Sequence, residues 1–377
     1  MRKINLKIPV LAVVLSVFGV VMIYSASSYS AQRTYGDAFF YVKKQVFALI
    51  LGIFAMATLI FVDLDKLRKY SWVFYAAGLV LLAAVFVPGL GVESYGAKRW
   101  LNLGITTVQP SEYAKFTTVF FLADFMAERD MRKTKNLFAA LAIGMAECVL
   151  IILEPNMSIT VCAAAVVAVM AFAGGAKGKS LAALGGGAAL ALPALIVAEP
   201  YRMKRLLAYI DPWSSPKGEG YQLIQSYYAL GSGGLFGVGL FGSRQKYLFL
   251  PFSESDFILS VIGEELGLFG VASVLALFVV FLTEGTRTAV KAKNAFGCYL
   301  AIGITAVVSV QVLVNAAVVS GSIPPTGLPL PFMSAGGSSL VAFLAATGLL
   351  ANVSAEDNGQ TFSIKNKLRR KKSGESL

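Results

Sequence analysis

Leu250–Gly267 reads LPFSESDFILSVIGEELG. It closes a long polar stretch and opens an apolar run reaching to about Leu282, long enough for a membrane-spanning helix. Three carboxylates, Asp256, Glu264 and Glu265, fall at the edge of or inside that run. Acidic side chains at membrane depth are costly, so they mark a functional site by default. Asp256 and Glu264 are eight residues apart, which on a continuous helix predicts one shared face about 12 Å apart along the axis. The plainer alternative has Asp256 capping the helix and the glutamates pairing with cations on neighbouring spans.

Composition agrees with a membrane reading. Of 377 residues, 56% are hydrophobic and only 14% charged, too apolar for a soluble domain. There is no histidine, which excludes Ser-His-Asp and Cys-His catalysis and any histidine metal site. Cys148, Cys162 and Cys298 lie singly in apolar runs, with no CxxC spacing and no disulfide framework. The net charge of +12 clusters between apolar runs and therefore points to anionic lipid heads rather than nucleic acid.

Working outward, ten apolar stretches predict an all-α polytopic bundle in one membrane domain, 1–353. They are about Ile8–Tyr24, Gln45–Val62, Trp72–Leu90, Pro110–Met126, Phe138–Leu153, Met157–Phe172, Leu181–Ala198, Phe257–Leu282, Ala295–Val319 and Leu340–Val353. The basic start and the small-residue SASSYSA after Tyr24 also suit a secretory signal; the length of the apolar run and the spans that follow favour an uncleaved first span. Pro110 opens the fourth span, with Glu112 in its first turn and Lys115 three residues on, able to meet it on one face. The seventh span holds Gly185, Gly186, Gly187 and Pro193, which suit either close packing or a hinge. Residues 199–255 form the one long loop, basic and aromatic, expected to fold partly at the interface. Gly321–Leu340, GSIPPTGLPLPFMSAGGSSL, cannot be a continuous helix and is expected to re-enter the membrane against protein. Residues 354–377 are a polar, basic tail, expected to be disordered.

Basic residues set the orientation. With the N-terminus inside, Lys66, Arg68, Lys69, Arg129, Arg132, Lys133, Lys135, Lys177, Lys179, Arg287, Lys291 and the tail cations face the cytoplasm. Both termini are then cytoplasmic, while the long loop and Asp256 face outward.

The outward parts form a chemical inventory: a carboxylate at the membrane edge, a basic loop with Arg202, Arg205 and Lys246, the Lys98-Arg99-Trp100 stretch, and the Pro/Gly segment. GSGGLFGVGLFG at Gly231–Gly242 lies outside any strand–helix context and is no nucleotide fingerprint. Sugar transfer from a lipid pyrophosphate suits this inventory. Pyrophosphate leaves without protonation if cations stabilise it, so one carboxylate base for the attacking hydroxyl suffices. A proton-coupled transporter, with Glu112 and Glu147 relaying protons, fits the same residues nearly as well.

The motifs carry a resemblance. KRWLNLG at 98–104, QPSEYAK at 109–115, DPW at 211–213, GYQ at 220–222, ALGSGGLFGVGLFGSRQK at 229–246, DFILSVIGEELG at 256–267 and PPTGLPLPFMSAGGSSL at 324–340 together resemble the SEDS family, the FtsW/RodA/SpoVE group. DPW and GSRQK look closer to the FtsW/SpoVE branch. The resemblance covers about Ile8–Val353. It implies a bacterial plasma-membrane glycosyltransferase that polymerises lipid II into glycan strands and works with a class B penicillin-binding transpeptidase and other division proteins. Rival expectations are a lipid II flippase and a non-catalytic division scaffold. The resemblance implies Asp256 as the essential aspartate, with Glu112, Lys115 and Arg99 as family positions; Arg202, Arg205, Lys246, Glu264 and Ser338 complete the candidate site. No cofactor is required by the sequence, and the pyrophosphate leaves room for a divalent cation. The chain departs from the family twice: Glu254-Ser255 stand where a His-Thr pair is common, and Pro155-Asn156-Met157-Ser158 stand for Pro-Asp-Leu-Gly.

Overall fold

A computed structural model describes residues 4–94, 97–102, 104, 107–197 and 200–355 of the chain. The tail expected beyond Ala355 lies outside the described residues, as does the side chain of Arg202. Each of the ten apolar stretches lies largely within a helix: α1 Lys7–Tyr35, α2 Phe40–Phe61, then past the short α3 Leu64–Arg68, α4 Ser71–Ala84, α5 Pro110–Glu128, α6 Thr134–Leu153, α7 Met157–Ala173 and α8 Gly178–Val197. The long loop contributes α9 Pro200–Ile210 and α10 Tyr221–Gly233, followed by α11 Ile258–Lys291, α12 Ala295–Val319 and α13 Gly337–Ser354. Among the described residues, six of these helices (α1, α2, α6, α11, α12 and α13) are long and apolar enough to cross a membrane. The fold is an all-helical polytopic membrane protein.

SASSYSA lies inside α1 rather than after it, with Ser25, Ala26 and Ser27 buried in the bundle. Ser27 Oγ donates back to the Ile23 carbonyl at 2.7 Å, and Ser25 Oγ donates across to Glu265 on α11 at 2.5 Å. The third span is shorter than its apolar run. The helix ends at Ala84 because Pro88 and Gly89 follow, and Gly89 takes a left-handed φ of 88°.

Two departures from the expected architecture position the site. The stretch between α4 and α5 forms a small antiparallel sheet, β1 Gly91–Ser94, β2 Ala97–Asn102 and β3 Thr107–Val108, in the order β1-β2-β3. Gly91 pairs with Leu101 and Val92 with Trp100, which holds Arg99 on a strand. The 199–255 stretch, expected to fold in part, is partly helical. Besides α9 and α10 it contains a 3-10 turn at Pro212–Ser214, with the Asp211 carboxylate accepting from Trp213 N.

The second departure lies inside α11. Gly267 has φ 66° and ψ −166°, so the helix breaks there. A break at membrane depth frees backbone groups that lipid cannot satisfy. The loop after α10 takes them up. Val238 N donates to Glu264 O at 2.9 Å and Gly239 N to Glu265 O at 3.0 Å, while Leu268 N and Phe269 N donate to Gly234 O and Leu235 O at 2.9 and 3.2 Å. The glycines of GSGGLFGVG permit this approach: a Cβ on Gly233 or Gly237 would lie 1.9 or 2.1 Å from a carbonyl oxygen of α11.

The Pro/Gly segment runs without helix from Gly321 to Gly336, and Leu328, Leu330, Phe332, Met333 and Ser334 are buried within it. Its non-helical backbone is packed against protein, the condition under which such backbone survives in a membrane. The tenth span begins inside this segment, at Gly337.

Candidate active site

Asp256 is half-buried in the turn just before α11 and is not part of the helix. The N-cap of α11 is Phe257, which makes no side-chain cap bond, so Asp256 is not a helix cap. Its backbone is pinned from two sides. Asn315 Nδ2, from α12, donates to Asp256 O at 2.9 Å and to Leu328 O at 2.8 Å. Ser334 Oγ donates to Ser255 O at 2.6 Å, and Ala335 N donates to Glu254 O at 2.9 Å. The turn carrying the aspartate and the Pro/Gly segment are thereby one unit.

The carboxylate faces Gly327. A Cβ built there would sit 3.3 Å from Asp256 Oδ2, and Gly327 has φ +74°. The left-handed backbone favours glycine at this position, and an added Cβ would press on the carboxylate. Burial pushes the Asp256 carboxyl up to about 6; Arg205 pulls it down, Glu254 pushes it up, and the Ser255 hydrogen bond and Arg99 pull it down. Arg205, on α9, donates from Nη1 to the Pro325 carbonyl at 3.4 Å. Arg99, on β2, donates from Nε to Glu154 O at 3.2 Å and from Nη2 to Pro155 O at 2.5 Å. The α6–α7 turn that receives Arg99 touches the same segment, since Ser158 Oγ donates to Thr326 O.

A second polar cluster lies deeper. Lys115 Nζ donates to Glu112 Oε2 at 3.0 Å and to Gln311 Oε1 at 2.9 Å, and both charged side chains are almost fully buried. Ser339 Oγ donates to the same Glu112 oxygen at 2.8 Å. Gln311 Nε2 reaches the Pro329 carbonyl at 3.4 Å. Ser338 Oγ accepts from Gln109 N at 3.3 Å, tying the start of α13 to the start of α5. The segment 325–339 therefore connects the Asp256 turn to the Glu112–Lys115 pair.

Glu264 and Lys246 stand apart from this arrangement. Because α11 begins only at Ile258, the eight-residue spacing does not put Asp256 and Glu264 on one helical face. Glu264 accepts from Ser243 Oγ and from Arg244 N, the latter at 2.8 Å. Glu265 accepts from Phe241 N at 3.0 Å and Ser243 N at 3.2 Å, and pairs with Lys246 Nζ at 3.4 Å. These groups anchor the 241–246 loop over the helix break, so the alternative of glutamates paired with nearby groups describes them. The cation, Lys246, lies close in sequence rather than on a neighbouring span, while Ser25 on α1 donates to Glu265 Oε1 at 2.5 Å.

Gln311, Asn315, Gly327, Ser334 and Ser339 are not among the residues singled out from the sequence. A signal for two of them is present: Gln311 and Asn315 are amides four residues apart in a strongly apolar 25-residue helix, hence on one face. Glu154, just past α6, is also fully buried, and burial pushes its carboxyl up to about 8 against the pull of Arg99.

Residues 6–359 match the family model FtsW/RodA/SpoVE, described as cell cycle protein. The chain belongs to this family. It is 37% identical to stage V sporulation protein E of Bacillus subtilis, over 93% of this chain and 96% of that protein. It is 39% identical to a probable peptidoglycan glycosyltransferase FtsW of Geobacter sp. strain M18, again over 93% and 96%. Among solved structures, it is similar to a chain of a peptidoglycan synthase complex coordinating polymerization and crosslinking, with TM-score 0.77, 28% identity and coverage of 94% and 98%. It is also similar to the rod shape determining protein RodA of Thermus thermophilus, with TM-score 0.71, 28% identity and coverage of 93% and 97%. The family fold thus extends over the whole described bundle, including the long 199–255 stretch.

Proposed function

We propose that this chain is a peptidoglycan glycosyltransferase of the FtsW/SpoVE branch that polymerises lipid II at the outer face of the bacterial plasma membrane. The observation that carries the reading is the setting of Asp256: a carboxylate of raised pKa, aimed over Gly327, with Arg205 and Arg99 near enough to act on it. The 4-hydroxyl oxygen of the acceptor sugar attacks the anomeric carbon of the lipid-linked chain, and its proton passes to Asp256. The bond from that carbon to the pyrophosphate oxygen breaks, and its electron pair leaves with undecaprenyl pyrophosphate. Attack opposite the leaving group inverts the anomeric centre. Arginines stabilise the departing charge, and Arg205 and Arg99 are the nearest candidates; a divalent cation can share that task. Glu112 and Lys115 shape the floor of the site, with Ser338 fixing the helix start above them.

The relatives' names support the same reading, since the similar Geobacter protein is a probable peptidoglycan glycosyltransferase. The similar chain in a synthase complex that couples polymerization with crosslinking supports a class B penicillin-binding transpeptidase as partner, alongside other division proteins. Purified protein with lipid II in detergent tests the activity, because polymer forms there without a second compartment whereas flipping requires one. Asp256→Asn keeps the shape and removes the base. General base catalysis contributes about 10²–10⁴-fold, so polymerisation should fall by that factor while lipid II binding persists. Near wild-type polymerisation by the variant would overturn the base assignment; no polymer from the wild-type chain with its transpeptidase would overturn the activity.

A further inference from the structure

Far from Asp256, at the other end of α11, the bundle holds a cavity of about 430 Å³ lined by Asn5, Lys7, Glu284, Arg287, Lys291 and Ser354 among others. Three cations thus surround one carboxylate. Glu284 is committed to holding the wall together: it accepts from Asn5 Nδ2 at 2.8 Å and Arg287 Nη1 at 2.6 Å, with Lys7 Nζ at 3.8 Å. Asn5 N donates to Ser354 Oγ at 3.1 Å, which closes α13 onto the same wall. One carboxylate serves two cations, and Lys291 has no acidic partner among the described residues. The surplus is positive by two charges. α1 starts at this cavity while α11 and α13 end there, so the helix dipoles do not add to that field and the positive surplus rests on the side chains.

Depth matters as much as charge. Beyond the break at Gly267, α11 runs from residue 268 to 291, about 36 Å at 1.5 Å per residue. The hydrocarbon core of a bilayer is about 30 Å, so the cations emerge at headgroup level. Lys7 and Arg287 keep most of their side chains exposed, 71% and 61%. Basic pockets between spanning helices at this level suit anionic headgroups.

We propose that this cavity between α1, α11 and α13 binds a phosphate group, with the headgroup of an anionic phospholipid as its source at that depth. The site is separate from glycosyl transfer, and neither Lys7 nor Lys291 takes part in the chemistry assigned to Asp256. Occupancy ties the amino-terminal segment to α11 through Lys7 and Lys291, beside the link that Asn5 already makes.

The test uses the full chain in detergent, with retained phosphatidylglycerol and phosphatidylcholine read by native mass spectrometry. Wild type should retain phosphatidylglycerol over phosphatidylcholine. Each basic side chain near an anionic headgroup is worth roughly fivefold in affinity, so Lys7→Gln with Lys291→Gln should weaken retention about 25-fold. Lys291 makes none of the Asn5–Glu284–Arg287 contacts, and Lys7 approaches Glu284 only at 3.8 Å with most of its side chain exposed, so the lipid-free melting temperature should barely move; Lys291→Glu alone, read the same way, serves if it does. Lys133→Gln with Lys135→Gln removes the same charge from another basic turn and should leave retention unchanged. Inorganic phosphate separates the sources: stabilisation of lipid-free wild type, lost in the double variant, would support the phosphate site and assign it to a soluble anion. Equal lipid retention by wild type and the Lys7/Lys291 variant, or an equal loss in the Lys133/Lys135 variant, would overturn the proposal.

Discussion

Burial pushes the Asp256 carboxyl up to about 6, and a general base works only when ionised. Above that pH the group is charged and turnover should be flat. Below it the base is lost by protonation, and polymerisation should fall about tenfold per pH unit; a flat profile down to pH 4 would remove Asp256 from the role. The deeper pair behaves differently. Glu112 and Lys115 are both buried and meet at 3.0 Å, so deleting one partner strands a charge, at about 3–5 kcal/mol, whereas deleting both does not. Glu112→Gln and Lys115→Met should each lower the melting temperature in detergent more than the double variant does. Additive losses would show that the two side chains act separately. This pair was legible in the sequence, because a glutamate in the first turn of a helix and a lysine three residues on can meet on one face. Gln311 and Ser339, which complete its hydrogen bonds, were not: they come from α12 and α13, and no local spacing connects them to α5.

At the scale of elements, each apolar run lies largely within a helix, and among the described residues six of those helices are long and apolar enough to cross a membrane. The break in α11 was illegible for a physical reason. The apolar run continues through Gly267, and what makes the break tolerable is an exchange of hydrogen bonds with residues 234–239, invisible to periodicity. Gly267 occupies a conformation essentially closed to other residues, and a Cβ there would lie 2.4 Å from the Leu235 carbonyl. Gly267→Ala should therefore sharply reduce folded protein in detergent. Gly186→Ala should not, because a Cβ there meets nothing within 4 Å. Among the described residues, an added Cβ at Gly185, Gly186 or Gly187 meets nothing within 4 Å, so close packing does not explain those glycines in this conformation. We propose that with Pro193 they let α8 tilt and open a lateral path for a lipid tail. Leucine at two of the three glycines should then lower turnover without loss of folded protein, and unchanged turnover would dispose of the hinge.

At the scale of the whole molecule, the chain's two described ends meet. Asn5 N donates to Ser354 Oγ, and Asn5 Nδ2 to Glu284 near the end of α11. An even number of crossings returns the chain to the side from which it started, so ten spans and this contact agree. The Asp256 turn opens α11 while Lys291 lies in its last turn, which puts the candidate catalytic carboxylate at the opposite end. Cations in short loops near the spans decide which end is cytoplasmic. Lys66, Arg68 and Lys69 lie between α2 and α4, Arg129, Arg132 and Lys133 between α5 and α6, and Lys177 between α7 and α8. All these connections belong to the end where the termini meet if the spans alternate. Lys217 lies in the long stretch before α10, whose length makes its charges count least. Reporter fusions should therefore read cytoplasmic after Lys133 and after Lys291, and external after Lys217. A cytoplasmic reading after Lys217 would place Asp256 on the wrong side of the membrane for a lipid substrate displayed outside, and the proposed reaction would fall with it.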